Sequence, residues 1–243
     1  MRIPRFYQAI DVDLGQQQVL SNINHRHAVQ VLRLKQDDQL VIFDGNGGEY
    51  YAKMSVCNKR DSAATLLSFD EVNRESSLKT SLILSTIKSD KMDFAIQKAV
   101  ELGVSHIQPM ISERSVIKIK AERLEKKMQH WQAIIIGACE QSGRAKIPTI
   151  AEPLSLEACL DRYKNLFCMG MLPCSKLSFK KVSDLAQSNI ALFIGPEGGF
   201  TDNEESLMHK HNINMVNFGN RILRAETAVI AGLTACQLQW GDL

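Results

Sequence analysis

Residues 190–200 read Ile-Ala-Leu-Phe-Ile-Gly-Pro-Glu-Gly-Gly-Phe, and residues 215–231 read Met-Val-Asn-Phe-Gly-Asn-Arg-Ile-Leu-Arg-Ala-Glu-Thr-Ala-Val-Ile-Ala. Each opens as a short apolar run and breaks at a glycine turn, Gly195–Gly199 in the first and Gly219 in the second. Apolar runs this short, bounded by turn residues, fit buried strands better than helices. Arg224-Ala225-Glu226-Thr227 then opens an apolar helix over Glu226–Trp240. Two strand ends, two glycine-bearing loops and an Arg/Glu pair at a helix start predict a concave polar site. Its place is the C-terminal edge of a sheet, where open α/β sheets bind ligands.

The chain upstream supports such a sheet. Leu82–Ile87 reads as a buried strand, and Asp90 as the cap of a helix over Lys91–Leu102, which Gly103 stops. Strands are expected at Val104–Ile111 and Leu166–Met171. A long helix is marked by Leu124, Met128, Trp131, Ile135 and Cys139, and shorter ones by 154–163 and 202–211. With the strands Ile190–Ile194 and Met215–Phe218, this alternation predicts an α/β domain with a mostly parallel sheet and helices on both faces.

Residues 1–72 have a different texture. Leu40–Phe43, the turn Asp44-Gly45-Asn46-Gly47-Gly48 and Glu49–Met54 predict a β-hairpin, with a further strand at Ala64–Phe69. Asn24 is placed to cap a short helix through His25–Leu32. Asp70–Lys79 is polar and aperiodic. The expected organisation is therefore a β domain at 1–72, a linker at 73–79 and an α/β domain at 80–243.

Composition narrows the function classes. The chain has 243 residues, 44% hydrophobic and 23% charged, with net charge +2, the profile of a soluble globular protein. The N-terminus lacks a signal-peptide apolar core, and no run approaches the ~18 apolar residues of a membrane span. A cytoplasmic, non-membrane protein is expected. Residues 1–76 carry nine Lys/Arg against ten Asp/Glu, so any nucleic-acid footprint has to be a local patch. Cys57, Cys139, Cys159, Cys168, Cys174 and Cys236 form no CxxC pair and read as scattered buried thiols in a reducing compartment. His25-x-His27 and His209-x-His211 diverge on a helix, so no metal site is expected.

Each loop has a plain and a functional reading. Gly195–Gly199 satisfies tight-turn geometry; it also lets a ligand approach the backbone. No Lys-Ser/Thr follows Gly199, so it is not a P-loop, and no G-x-G-x-x-G follows a first strand. Glu197 inside the turn disfavours phosphate and suits a cationic or zwitterionic ligand. Glu226 is placed to complement a helix N-terminus with Arg224 as its partner, or to face the ligand loops as a catalytic carboxylate. Arg144 closes Glu140-Gln141-Ser142-Gly143-Arg144, where it complements a helix C-terminus. The basic run Arg114, Lys118, Lys120, Arg123, Lys126 and Lys127 reads first as a solvated face and second as a phosphate track.

Ile194–Phe200 and Ile222–Ala228 together resemble motifs of the uridine-N3 methyltransferases of small-subunit ribosomal RNA, members of the SPOUT superfamily. Met1–Phe6, Val31-Leu32-Arg33, Lys98–Val104, Ser112–Ser115 and Glu140–Arg144 match further family motifs in order. Ala225 departs from the usual Thr, and Phe218 from the usual Leu. The resemblance implies a PUA-like β-barrel followed by a domain threaded into a trefoil knot, a topology that pattern alone never justifies. It implies a homodimer and S-adenosylmethionine bound against Met171, Leu172, Ile194, Gly195, Gly199, Phe218, Gly219, Ile222 and Leu223, with the sulfonium near Glu197. It also implies 16S ribosomal RNA, or the small subunit, as substrate. For removal of the N3 proton, Glu226 is the first candidate base and Glu197 the second. Arg224 or Arg144 would stabilise charge on the uracil oxygens. Arg2, Arg5, Arg26, Arg33 and Lys35 are the expected RNA contacts.

Overall fold

The Asp44–Gly48 hairpin lies at the centre of a five-stranded sheet. In this computed structural model residues 3–115, 121–182 and 187–243 are described. They form two compact units: Met1–Glu75 with Cys139–Ile147, and Ser76–Ala138 with Pro148–Leu243. The first contains β1 (Arg5–Tyr7), β2 (Gln17–Val19), β3 (Gln39–Phe43), β4 (Glu49–Cys57) and β5 (Ser62–Asp70). Their order is β1-β3-β4-β5-β2, with β1–β3 parallel and the other pairs antiparallel. Gly48, at φ +78, packs so tightly that a Cβ there would meet the Phe69 ring at 2.3 Å. Both the backbone conformation and the space demand glycine.

The two end strands share no ladder, yet side chains bridge them. Gln8 Nε2 donates to the Val19 carbonyl at 2.7 Å, and the Ser21 N–H donates to Gln8 Oε1 at 2.8 Å. The sheet is thereby drawn towards a barrel around Phe6, Leu20, Ala28, Leu40, Ile42, Met54 and Leu66. A short helix, α1 (Asn22–His25), runs directly into a π-helix at Arg26–Val31. Its cap is Ser21, whose Oγ accepts from the Asn24 N–H at 3.2 Å, and not Asn24 as expected. The Asn24 amide donates instead to the Tyr7 carbonyl at 3.0 Å, a partner distant in sequence.

Cys139–Ile147 joins this unit through polar contacts. Glu49, 1% exposed, pairs with Arg5 and with Arg74. Arg74 Nη1 donates to the Gly143 carbonyl at 2.8 Å, and Glu140 Oε1 accepts from the Tyr7 N–H at 2.9 Å. Burial pushes the Glu49 carboxyl up, but hydrogen bonds and charge from Arg74 and Arg5 outweigh it and hold it below the usual carboxylate range.

The second unit alternates strand and helix: β6 (Lys79–Ser85), α2 (Ser89–Glu101), β7 (His106–Ile111), α3 (Ala121–Ser142, whose last turn belongs to the first unit), β8 (Thr149–Ile150), β9 (Leu154–Ser155) and α4 (Leu156–Tyr163). Then come β10 (Phe167–Met171), β11 (Leu177–Ser178), α5 (Phe179–Val182), β12 (Asn189–Ile194), α6 (Asp202–Lys210), β13 (Asn214–Asn217) and α7 (Ala225–Trp240). The strand order is β11-β13-β10-β12-β6-β7-β8, with β9 also on β7. Every recorded pair is parallel, consistent with the fully buried run Leu82–Leu84 and Ile190–Phe193. α2 begins two residues earlier than expected: its cap position is Lys88, and Asp90 lies in its first turn. α7 packs on α2 and β12, so closely that a Cβ at Gly232 would lie 2.7 Å from Leu192 Cδ2 and 2.9 Å from Met171 Sδ.

Candidate active site

The C-terminal ends of β10, β12 and β13, adjacent in the sheet, open into one cleft. Its wall contains Met171, Leu172 and Pro173 after β10, and Ile194, Gly195, Pro196, Glu197 and Gly199 after β12. Phe218, Gly219, Arg221, Ile222 and Leu223 after β13 complete it, with Ala225 and Ala228 of α7. All nine residues expected to contact a cofactor therefore meet in one place, together with Glu197. The free space is about 660 Å³ including the open mouth, within the range of small-molecule sites.

The first glycine loop is held from several sides. Arg114 Nη1 donates to the carbonyls of Gly198 (2.9 Å) and Phe200 (3.2 Å). Glu204 forms a capping box with Thr201 at the start of α6, and its Oε1 also accepts from the Glu113 N–H at 2.8 Å. Gly199 takes φ +68, a conformation that costs a side-chain-bearing residue. The Lys88 N–H, at the start of α2, donates to Glu197 Oε1 at 3.4 Å. The second loop is fixed by Asn217, whose amide donates to the Ser175 carbonyl at 2.5 Å and whose Oδ1 accepts from the Gly219 N–H at 3.3 Å. Among the described residues, chain neighbours aside, no heavy atom lies within 4 Å of a Cβ position at Gly199 or Gly219, so the backbone at both turns borders open space.

The candidate catalytic groups separate. Glu226 lies in the first turn of α7 and is 8% exposed; it is not in the cleft lining, although its neighbours Ala225 and Ala228 are. Its ion-pair partner is Lys91 of α2, at 3.5 Å, and not Arg224, the sequence-based choice. Arg224 is exposed and occupies the cap position of α7 through its backbone. Arg144 belongs to the first unit. It is 4% exposed and binds Glu75 through Nη2 at 2.5 Å and Nε at 3.0 Å. That carboxylate partner is the one the structure gives the residue expected at the uracil oxygens. Arg5, expected as an RNA contact, pairs through its side chain with buried Glu49 and lies over the Phe43 ring. Arg26, Arg33 and Lys35 are exposed, with Arg33 at φ +56. Arg2 lies outside the described residues, as do Lys118 and Lys120 of the basic run.

Two residues of this region, Lys91 and Arg114, had no such role in the sequence reading. A lysine in the first turn of a helix opposes the helix dipole, and that anomaly was the available signal for Lys91. Arg114 sat inside a basic run, which concealed it; its carbonyl partners are 84 and 86 residues away.

The wall suits a ligand with an adenine ring and a cationic centre. Leu172, Ile194, Leu223 and Ala225 give apolar faces, the glycine turns give backbone groups, and Glu197 gives one negative charge. Among the described residues no group of His, Cys, Asp and Glu is placed to hold a metal ion, and no helix is long and apolar enough to cross a membrane.

Comparison with known proteins agrees with this geometry. Residues 74–237 match a family model described as an RNA methyltransferase domain, and residues 25–66 match one described as an RNA methyltransferase PUA domain. A ribosomal RNA small subunit methyltransferase E of Buchnera aphidicola (subsp. Schizaphis graminum) is 35% identical over 243 residues, covering 100% of this chain and 98% of the relative. The crystal structure of a ribosomal RNA small subunit methyltransferase E from Neisseria gonorrhoeae, bound to S-adenosyl methionine, has a TM-score of 0.91 and 36% identity, with 100% of both chains covered. A Legionella pneumophila protein solved with bound cofactor SAM has a TM-score of 0.95 and 38% identity, again with 100% of both chains covered. A cleft at three parallel strand ends, preceded by a small β unit and matched end to end by these relatives, places the chain in the RNA methyltransferase family that includes ribosomal RNA small subunit methyltransferase E.

Proposed function

We propose that this protein transfers a methyl group from S-adenosylmethionine to N3 of a uridine in 16S ribosomal RNA. The observation that carries the reading is the convergence of Met171-Leu172, Ile194–Gly199 and Phe218–Leu223 on one cleft, beside which Glu226 is buried and paired. When bound, the cofactor supplies an electrophilic methyl group on a sulfonium. The backbone at the Gly199 and Gly219 turns would read its adenine, and Glu197 would face its positive charge. Uracil N3 bears an imide proton on its pairing edge, so the base must be unpaired and that proton removed. Glu226 is the carboxylate for that task, with Glu197 the second choice. Arg224, exposed at the mouth of α7, is available to the RNA.

The same reading includes a homodimer and a cytoplasmic location. Ile222 is 84% exposed and Leu238 of α7 65%, apolar side chains that a second copy would cover. A trefoil knot in the second unit, a domain division at 73–79 and RNA contacts by Arg26, Arg33 and Lys35 belong to the proposal too.

The test is to incubate the purified protein with methyl-labelled S-adenosylmethionine and small subunits, or naked 16S RNA, from a strain lacking the gene. N3-methyluridine in the RNA hydrolysate is the expected product. A different methylated nucleoside would redirect the substrate assignment, and calorimetry showing no cofactor binding would instead indicate an RNA-binding module.

A further inference from the structure

Two lysines open α2 against the helix dipole: Lys88 at its cap position and Lys91 in its first turn. Each residue contacts a carboxylate, Lys88 through its backbone and Lys91 through its side chain. The Lys88 N–H binds Glu197 Oε1, and Lys91 Nζ lies 3.5 Å from Glu226 Oε1. The two members of the second pair differ in burial: the side chain of Glu226 is 11% exposed and that of Lys91 39%. Among the described residues Lys91 has no other ion pair, and an ammonium carries three donors. The ion pair with Glu226 engages the ammonium on one side, which leaves donors for an incoming group. An ion pair this open to solvent adds little stability, so stability alone is a weak reason for an unfavourably placed lysine.

The pair presents an acceptor beside a donor. Uracil's pairing edge presents the complement, an N3–H donor flanked by carbonyl acceptors. Cytosine does not, because its N3 has no proton and an amino donor stands next to it. We infer that Lys91 and Glu226 act as one unit that reads the imide edge of the target base, Glu226 accepting the N3 proton and Lys91 donating to the adjoining carbonyl oxygen. This deepens the proposed function and rests on it. In the step, the N3–H proton passes to the Glu226 carboxylate, and negative charge spreads from N3 onto the oxygen that Lys91 faces. The N3 lone pair forms the N–CH₃ bond, and the electrons of the breaking S–CH₃ bond stay on sulfur as a neutral thioether. Lys91 is thus a specificity and charge-stabilising residue, which the 39% exposure of its side chain permits.

The experiment compares the parent with Lys91→Met, Lys91→Gln and Lys91→Arg by single-turnover methyl transfer. Cofactor affinity by calorimetry and thermal unfolding are measured on each variant. The expected result is a fall of thirtyfold or more in the transfer rate for Lys91→Met and Lys91→Gln, with cofactor Kd within twofold. Lys91→Arg recovers to within tenfold of the parent, because it restores the charge and donors. A smaller fall, failure of Lys91→Arg to rescue, or a loss carried wholly by cofactor affinity or unfolding temperature overturns the inference. If the parent makes no N3-methyluridine, the functional reading itself fails and takes this inference with it. If the parent makes N3-methyluridine and Lys91→Met matches it, only this inference fails.

Discussion

Two mid-helix glycines offer a matched test of how closely α7 lies on the sheet. A Cβ at Gly137 of α3 would meet no heavy atom within 4 Å, whereas one at Gly232 of α7 would lie 2.7 Å from Leu192 Cδ2 and 2.9 Å from Met171 Sδ. Replacing either by alanine gains helix propensity of about 1 kcal/mol. At Gly137 that gain stands alone. At Gly232 it is opposed by overpacking, about 1–3 kcal/mol for methyl groups forced into a filled core, since Leu192 is fully buried. Gly137→Ala should therefore be stabilising by about 1 kcal/mol, and Gly232→Ala neutral to destabilising by about 2 kcal/mol. At about 2–4 °C per kcal/mol for a chain of this size, a mid-range difference of about 2 kcal/mol separates their unfolding temperatures by about 4–8 °C. Both tryptophans, Trp131 and Trp240, belong to the second unit, so tryptophan fluorescence follows the relevant transition. Because Met171 also lines the cleft, Gly232→Ala should weaken S-adenosylmethionine binding and Gly137→Ala should not. Equal upward shifts in both variants would refute the close packing of α7.

Three further expectations follow from the contacts. Arg114→Met removes the two hydrogen bonds bracing the first glycine loop and should weaken cofactor binding about tenfold by calorimetry, the worth of one to two net hydrogen bonds, with little change in unfolding temperature. Glu49→Gln leaves Arg5 and Arg74 without their carboxylate and should destabilise the first unit by about 2 kcal/mol at pH 7, less than a fully buried pair would lose because Arg74 is part-exposed. Glu49 is held below the usual carboxylate range, so its stabilisation is complete above about pH 4–5 and is lost as pH falls through the lowered value. Urea unfolding should show the parent–variant gap closing in acid; a constant gap would refute the ion pair. Burial pushes the thiols of Cys139, Cys159 and Cys236 up to about 12 and that of Cys168 up to about 11, while Cys174 is exposed. A thiol reagent at pH 8 should label Cys174 first, and protection by bound cofactor would report its nearness to Pro173 in the cleft wall.

What was legible in the sequence was whatever is encoded locally. The apolar runs at Ile190–Ile194 and Met215–Phe218 named two strands, and their glycine turns pointed to the cleft, because a buried parallel strand and a tight turn each need particular residues in sequence. Strands β8, β9 and β11, two residues each, carry no period that could reveal them. The cap of α1 was misassigned because Ser21 and Asn24 are both competent, and the choice was settled by a carbonyl on β1. The partners of Lys91, Arg114 and Arg144 were not legible for the same reason: they lie 135, 84 and 69 residues away, and the pattern along a chain does not say which acceptor will arrive. The pairing of Arg5 with Glu49, 44 residues away, was equally out of reach of a local pattern.

The ends of the parallel sheet are as informative as its centre. On one side the path stops at β11 and on the other at β8, each two residues long. A long bare strand margin is a template on which a foreign or misfolded chain can grow a further strand. Here the interior strands, nearly all apolar, are flanked by margins too short to seed such growth. The protein can thus keep a strongly hydrophobic parallel sheet at cellular concentrations with little exposure to edge-to-edge aggregation.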